Sequence, residues 1–106
     1  MAVFIEPQQM LPAPELIVAM TGSNLAIGTL LYEPVKIILD NQSTTAVVLS
    51  ISLNGGSSQI QWKTFAAGEA LVLDGDIYTL PRGTIFYGHG AANGNFSIAY
   101  MYLNRA

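Results

Sequence analysis

Residues 45–62 carry the pattern that most restricts what this chain can become. They read Thr45-Ala46-Val47-Val48-Leu49-Ser50-Ile51-Ser52-Leu53, then Asn54-Gly55-Gly56-Ser57-Ser58, then Gln59-Ile60-Gln61-Trp62. Leu49, Ile51 and Leu53 alternate with Ser50 and Ser52, and Ile60 and Trp62 alternate with Gln59, Gln61 and Lys63. That period of two belongs to a strand with one face turned inward. Asn54-Gly55-Gly56 supplies residues that accept positive φ, so the stretch predicts a β-hairpin with a loop of about three to five residues.

The rest of the chain repeats the same grammar. Residues 1–14 contain Pro7, Pro12 and Pro14; proline lacks a backbone donor and holds the preceding residue extended, which excludes helix and central strand. We read an extended N-terminal arm over residues 1–14, followed by a β domain over 15–106. The arm's Val3, Phe4, Ile5, Met10 and Leu11 are too many apolar residues for a solvated tail, so it is expected to lie on its own sheet or on a neighbouring subunit. Glu15 to Met20 and Leu25 to Tyr32 are apolar runs joined by Thr21-Gly22-Ser23-Asn24 and read as strands covered on both faces. Val35 to Asp40, turned by Asn41-Gln42-Ser43-Thr44 into the strand that follows, predicts a second hairpin.

Further strands are expected at Leu71-Val72-Leu73, at Ile77 to Leu80 and at Thr84 to Tyr87, with Gly88-His89-Gly90-Ala91-Ala92-Asn93-Gly94 as a glycine-rich connection. The last strand, Asn95 to Leu103, places Phe96, Ile98, Tyr100 and Tyr102 on one face and Ser97, Ala99, Met101 and Leu103 on the other. Neither face is strongly polar, so this strand is expected to be central or covered by a partner. About eight strands at spacings of roughly 8 to 12 residues, with no amphipathic helix, predict an all-β, single-domain antiparallel β-sandwich or jelly roll.

Composition narrows the function. Charged residues make up 10% of the 106-residue chain and hydrophobic ones 51%, against about 25% charged in an average soluble domain. A free monomer of this size normally keeps more charge in water, so part of the exterior is expected to be covered by neighbours, as in a homo-oligomer. Seven acidic residues against the scattered Lys36, Lys63, Arg82 and Arg105 give a net charge of −3; no basic cluster offers itself to phosphates, and nucleic-acid binding is not expected. The longest apolar runs are far shorter than the roughly 20 residues of a membrane-spanning helix. The first residues, Met1-Ala2-Val3-Phe4-Ile5-Glu6-Pro7, carry no basic segment or apolar stretch of the kind that directs secretion, so synthesis and assembly in a cytoplasm are expected.

Few residues suggest chemistry. The chain has no cysteine and one histidine, so a zinc site at His89 would need carboxylates for every other protein ligand, and a loop-tip residue is the simpler reading. Asp74-Gly75-Asp76 resembles the start of a calcium loop, yet Tyr78 and Leu80 follow where oxygen donors are needed, so a turn is favoured. No Gly-x-Ser-x-Gly elbow is present to support a nucleophilic serine. Asn41-Gln42-Ser43 and Asn95-Phe96-Ser97 match the glycosylation triplet only formally. The aromatic residues Trp62, Tyr78, Phe86, Tyr87, Phe96, Tyr100 and Tyr102 could stack on sugars, but alternation assigns most of them to the core. Catalytic residues, cofactors and metals are not expected, and a small-molecule ligand is not favoured.

A set of motifs runs through the second half of the chain: Asn41 to Thr44 before an apolar strand, Ile51-Ser52-Leu53-Asn54-Gly55 ending it, and Ala67-Gly68-Glu69 before Leu71-Val72-Leu73-Asp74. It continues in Leu80-Pro81-Arg82-Gly83-Thr84 before Ile85-Phe86-Tyr87, and in a final strand ending Tyr100-Met101-Tyr102. In these motifs residues 35 to 103 resemble a class of small bacteriophage virion proteins. The resemblance implies a non-catalytic structural protein, made in the bacterial host and located in the virion. It implies a capsid-associated decoration or cement subunit, with a head-tail connector or tail component as the alternative. Its partners would be other virion proteins, such as the major capsid or a connector or tail protein. From another class, a carbohydrate-binding β-sandwich module also fits the residues. For the interface, the apolar arm and the second face of the last strand nominate Phe4, Ile5, Met10, Leu11, Met101 and Leu103.

Overall fold

The computed structural model describes residues 9–74 and 80–104. Within them the chain forms β1 (Gln9–Pro12), β2 (Leu16–Ala19), β3 (Leu25–Thr29), β4 (Pro34–Asn41), β5 (Val47–Ser52), β6 (Ile60–Phe65), β7 (Ala70–Asp74), β8 (Ile85–Gly90) and β9 (Asn95–Asn104), with no helix among the described residues. Two antiparallel sheets result, as an all-β sandwich requires. Sheet A runs β1-β9-β4-β7, with β2 also paired to β9, and sheet B runs β3-β8-β5-β6.

The last strand is central, as its two apolar faces predict. It pairs with β4 on one side, while β1 and β2 share the other: Gln9 to Pro12 lie opposite Asn104 to Met101, and Leu16 to Ala19 lie opposite Ile98 to Asn95. Of the extended arm read over residues 1–14, residues 9–12 thus form β1 on the chain's own sheet, and residues 1–8 lie outside the described residues.

The core fills the space between the sheets. Phe96, Ile98 and Tyr100 of β9 and Ile37 and Leu39 of β4 are buried in one cluster with Val47, Leu49 and Ile51 of β5, Phe65 of β6 and Phe86 of β8. Phe65 and Phe96 meet edge to face across the sheets, with ring centroids 5.2 Å apart. Burial of each such side chain stabilises the fold by about 1.5–3 kcal/mol. The hairpin of residues 45–62 is present, with β5 and β6 paired and a bulge at Trp62, which packs against the core.

Its loop, over residues 53–59, is longer than predicted because side chains build it. Ser52 donates to Asn54 Oδ1 at 3.0 Å and accepts from the Gly56 amide at 2.9 Å, and Asn54 Oδ1 also accepts from the Ser58 amide at 3.0 Å. Gly55 and Gly56 take positive φ, at 74° and 94°. Leu53 and Ile60 therefore flank the loop and are exposed.

Three other expectations are corrected. First, β4 and β5 do not form a hairpin; they belong to different sheets, and residues 42–46 carry the chain across the sandwich. Second, β2 and β3 also lie in different sheets, and each is buried on one face only: Ile17 and Ala19 are exposed, whereas Leu16 and Val18 pack on the core. Third, Gly88-His89-Gly90 is not a loop but the end of β8, opposite Leu49, Val48 and Val47. These glycines are required by close approach. A Cβ on Gly90 would stand 2.7 Å from Val47 Cγ2, and one on Gly88 would stand 3.0 Å from Ile27 Cδ1. The strand predicted at Ile77 to Leu80 falls outside the described residues except for Leu80, which is buried.

The crossing from β4 to β5 depends on Asn41, which is fully buried. Its Nδ2 donates towards the carbonyls of Thr45 at 3.0 Å, Phe65 at 3.3 Å and Ala66 at 2.9 Å. Its Oδ1 accepts from the Ser43 amide at 3.1 Å and the Ser43 hydroxyl at 2.6 Å. The main chain of residue 41 adds a bond from its amide to the Glu69 carbonyl at 2.9 Å. One amide thus ties the end of a strand in sheet A to the end of β6 in sheet B.

Removing it breaks these side-chain bonds together, although the Thr45 and Ala66 carbonyls keep the Ser43 hydroxyl and the Glu69 amide as donors. Asn41→Ala and Asn41→Asp should each destabilise the domain by about 2–4 kcal/mol, the second because a carboxylate supplies no donor and buries charge. Thr44→Ala, at an exposed position of the same crossing, should change stability by less than about 0.5 kcal/mol; urea unfolding of the three variants provides the comparison.

Candidate functional site

Directly opposed residues of an antiparallel pair project from the same face of a sheet, so the register assigns the outer face of sheet A. Ile38 of β4 lies beside Ala99 of β9 and Val72 of β7. Lys36 lies beside Met101 and Asp74, and Asp40 beside Ser97 and Ala70. Along the far edge, Met10 of β1 is opposite Leu103 and Ile17 of β2 is opposite Ser97. The exposed large side chains on this face are Met10 at 48%, Ile17 at 49%, Ile38 at 37% and Val72 at 50%. Ala99, Met101 and Leu103 are half-buried between them.

The outer face of sheet B is different. There Val48 lies beside His89 and Thr64, Ser50 beside Tyr87 and Gln61, and Ser52 beside Ile85. None of the exposed large hydrophobic residues among those described lies on it. The exposed large apolar side chains of the two outer faces thus gather on sheet A, where they stand among Lys36, Asp40 and Asp74, and a patch of this kind on one face is a candidate interaction surface.

The residues nominated from sequence are only partly brought together. Met10, Met101 and Leu103 share the outer face of sheet A, whereas Leu11 is opposite Tyr102 and so belongs to the inner side, half-buried. Phe4 and Ile5 lie outside the described residues. Sequence reasoning missed Ile17, Ile38 and Val72. Their signal was present: in Ile37-Ile38-Leu39 and Leu71-Val72-Leu73, consecutive apolar residues on a strand must leave one on each face.

The residues that could suggest chemistry have structural occupations. His89 is an exposed strand residue whose Nε2 lies 3.2 Å from the Gly22 carbonyl oxygen. No cluster of three His, Cys, Asp or Glu residues suited to a metal occurs among the described residues. Asp74 ends β7, and Gly75, Asp76 and Tyr78 lie outside the described residues. Phe86, Phe96 and Tyr100 are buried in the core, and the Tyr100 hydroxyl accepts from the Leu31 amide at 2.9 Å.

Tyr102 stacks on Tyr32 with centroids 3.9 Å apart; partial burial, then the neighbouring Tyr32, pushes its phenol above the usual range. Glu69 accepts from the Ala66 amide at 2.9 Å and pairs with Lys63 at 3.0 Å, and these contacts hold its carboxyl below the usual range while closing the turn into β7. A shallow depression of about 230 Å³ lined by Glu33, Leu80, Pro81 and Arg82 falls short of the roughly 300–1,000 Å³ of ordinary ligand pockets.

No protein-family model and no curated protein matches the chain. Among solved structures it is similar to a chain from work described as "Bacillus endospore appendages form a novel family of disulfide-linked pili", with a TM-score of 0.53 and 13% sequence identity over 99% of this chain and 97% of that one. The likeness is one of fold. It extends over the whole sandwich, so both proteins arrange their strands alike with little sequence in common.

Adjacent residues of β4 separate the two faces experimentally. Leu39→Ala should cost about 2–5 kcal/mol, because Leu39 is fully buried. Ile38→Thr should cost the isolated chain less than about 1 kcal/mol, because Ile38 is partly in water already; denaturant titration at low protein concentration measures both.

Proposed function

We propose that this protein is a non-catalytic structural subunit that works by associating with other subunits, and that the outer face of sheet A is the surface they cover. The observation that carries this reading is the contrast between the two outer faces of one sandwich: Met10, Ile17, Ile38 and Val72 are exposed on sheet A, and no exposed large apolar side chain among the described residues lies on the outer face of sheet B. The low charge of the chain supports it. So does the likeness in fold to a pilus protein. That pilus is described as disulfide-linked, whereas this chain contains no cysteine; an assembly built from it would be held by packing and hydrogen bonds.

Two settings are proposed for the assembly. The turn-and-strand motifs of residues 35 to 103 support a bacteriophage virion, with the protein made in the host cytoplasm and acting as a decoration, connector or tail subunit. The fold likeness supports a pilus-like appendage built from repeated copies. In either setting the device proposed for this chain is the same, an apolar face withdrawn from water.

Sedimentation of the purified protein from micromolar to millimolar concentration, with electron microscopy of the same samples, tests the proposal. Concentration-dependent oligomers or filaments are expected. Ile38→Glu should shift them to monomer while leaving the melting temperature of the monomer nearly unchanged, since the position is already exposed to 37%. A wild-type chain that stays monomeric throughout and binds no virion or appendage protein would overturn the proposal. Removal of residues 1–8, which spares β1, should leave the melting temperature within a few degrees and shows by sedimentation whether the first part of the arm strengthens assembly.

A further inference from the structure

The outer face of β4 carries a row of three side chains, Lys36, Ile38 and Asp40, spaced by about 6.8 Å, two strand residues. The row is opposite in charge at its two ends and apolar in its middle. Lys63–Glu69 is the ion pair formed among the described residues, so the Lys36 ammonium has no carboxylate within ion-pair distance among them. Asp40 receives a hydrogen bond from Gln42 Nε2 at 3.2 Å. Both charges are half-buried on the apolar face, where an opposite charge from outside would be screened less than on open surface.

We propose that a second copy of this chain packs face to face on sheet A, about a two-fold axis that runs across the strands over Ala99, Ile38 and Val72. This rests on the reading of that face as the assembly surface and names its occupant. A rotation about such an axis reverses the strand direction and keeps the order of strands, so each β4 lies antiparallel over its equivalent. Ile38 then meets Ile38, Val72 meets Val72, and the Lys36 of each copy meets the Asp40 of the other. In the neighbouring rows Met101 faces Ser97 and Asp74 faces Ala70, because Met101 and Asp74 share the register of Lys36 and Ser97 and Ala70 that of Asp40.

No like charges are placed directly opposite. A face that is complementary to itself under a two-fold rotation is what an isologous dimer requires. Aligned sheets cross at about 30°, which displaces the edges more than the centre, so the central three rows carry the prediction. Four strands at about 4.8 Å spacing and three outward steps give roughly 400 Å² per copy, about 800 Å² in all, below the roughly 1,200–2,000 Å² of stable interfaces and in the range of weak ones, so reversible and concentration-dependent pairing is expected.

Charge exchange tests the geometry. Lys36→Asp makes the row wholly acidic and Asp40→Lys makes it wholly basic, so each should self-associate at least about tenfold more weakly than wild type. Mixed together, the two variants should pair with each other, and the double variant Lys36→Asp/Asp40→Lys should recover association to within a few-fold of wild type. Sedimentation equilibrium reads the affinities, and melting curves confirm that each variant is folded. Because the chain has no cysteine, Ile38→Cys copies should also be joined by a short thiol-reactive crosslinker to a product of twice the mass.

If Ile38→Glu abolishes association but both single charge variants associate as tightly as wild type, the face is used and the proposed two-fold pairing is overturned. If Ile38→Glu associates as tightly as wild type, the assembly face itself is wrong. Flotation with neutral or anionic phospholipid vesicles by a chain that remains monomeric would assign the face to a lipid surface and overturn the dimer.

Discussion

A buried side-chain amide ties the two sheets of this sandwich together where the chain crosses between them. Asn41 closes β4 and directs its two donors at carbonyls of the crossing and of the end of β6. A hydrophobic residue there would pack, but it would give up every one of these bonds; the Thr45 and Ala66 carbonyls would keep the Ser43 hydroxyl and the Glu69 amide, and the link to the buried Phe65 carbonyl would be lost. Because the crossing is specified by hydrogen bonds rather than by apolar contact alone, β5 enters sheet B with Val47, Leu49 and Ile51 facing inward. A slip of one residue would turn Val48 and Ser50 into the core. The packing of Phe65 on Phe96 follows from the same anchor, since Phe65 supplies one of the carbonyls that Asn41 binds.

The second organising fact is the position of β9. A strand flanked on both sides inside a sheet, with apolar residues on both faces, passes its character to its neighbours: β2, β4 and β7 also place apolar residues outward. The result is a sandwich with two unlike sides. Sheet B mixes serine, threonine, glutamine and histidine with Val48, Ile85 and Tyr87 on its exterior. Sheet A carries the exposed Met10, Ile17, Ile38 and Val72.

Much of this architecture can be read from the residues. Alternation in Thr45 to Trp62 and in Asn95 to Leu103 identifies the hairpin and the central strand, because a period of two depends on local geometry alone. The partners of strands are another matter. Asn41-Gln42-Ser43-Thr44 has the composition of a tight turn, and whether such a sequence folds a strand back onto its neighbour or carries it to the opposite sheet is decided by carbonyls of Phe65 and Ala66, more than twenty residues away. Gly88 and Gly90 mislead for a related reason. Glycine marks flexible connections by its backbone freedom, but here it serves by lacking a side chain where Ile27, Met20 and Val47 come close. The candidate face was half legible: Met10, Met101 and Leu103 could be named, whereas Ile17, Ile38 and Val72 needed the register to show which way they point.

The interrupted edge formed by β1 and β2 has one more effect. The amide of Ala13 donates to the Tyr100 carbonyl at 2.9 Å and so points into the sheet. In an extended chain the residues on either side point the opposite way, and both of these are prolines, Pro12 and Pro14. The margin of sheet A beyond β1 and β2 therefore lacks two of the donors that an incoming strand would seek, a device that discourages edge-to-edge growth. Opposite it, β7 ends the sheet among the described residues, without a proline. Sheet A thus has a blunted border and an open one, which gives the subunit a sideways polarity: a strand offered by another molecule can lengthen it from the β7 border far more readily than from the other.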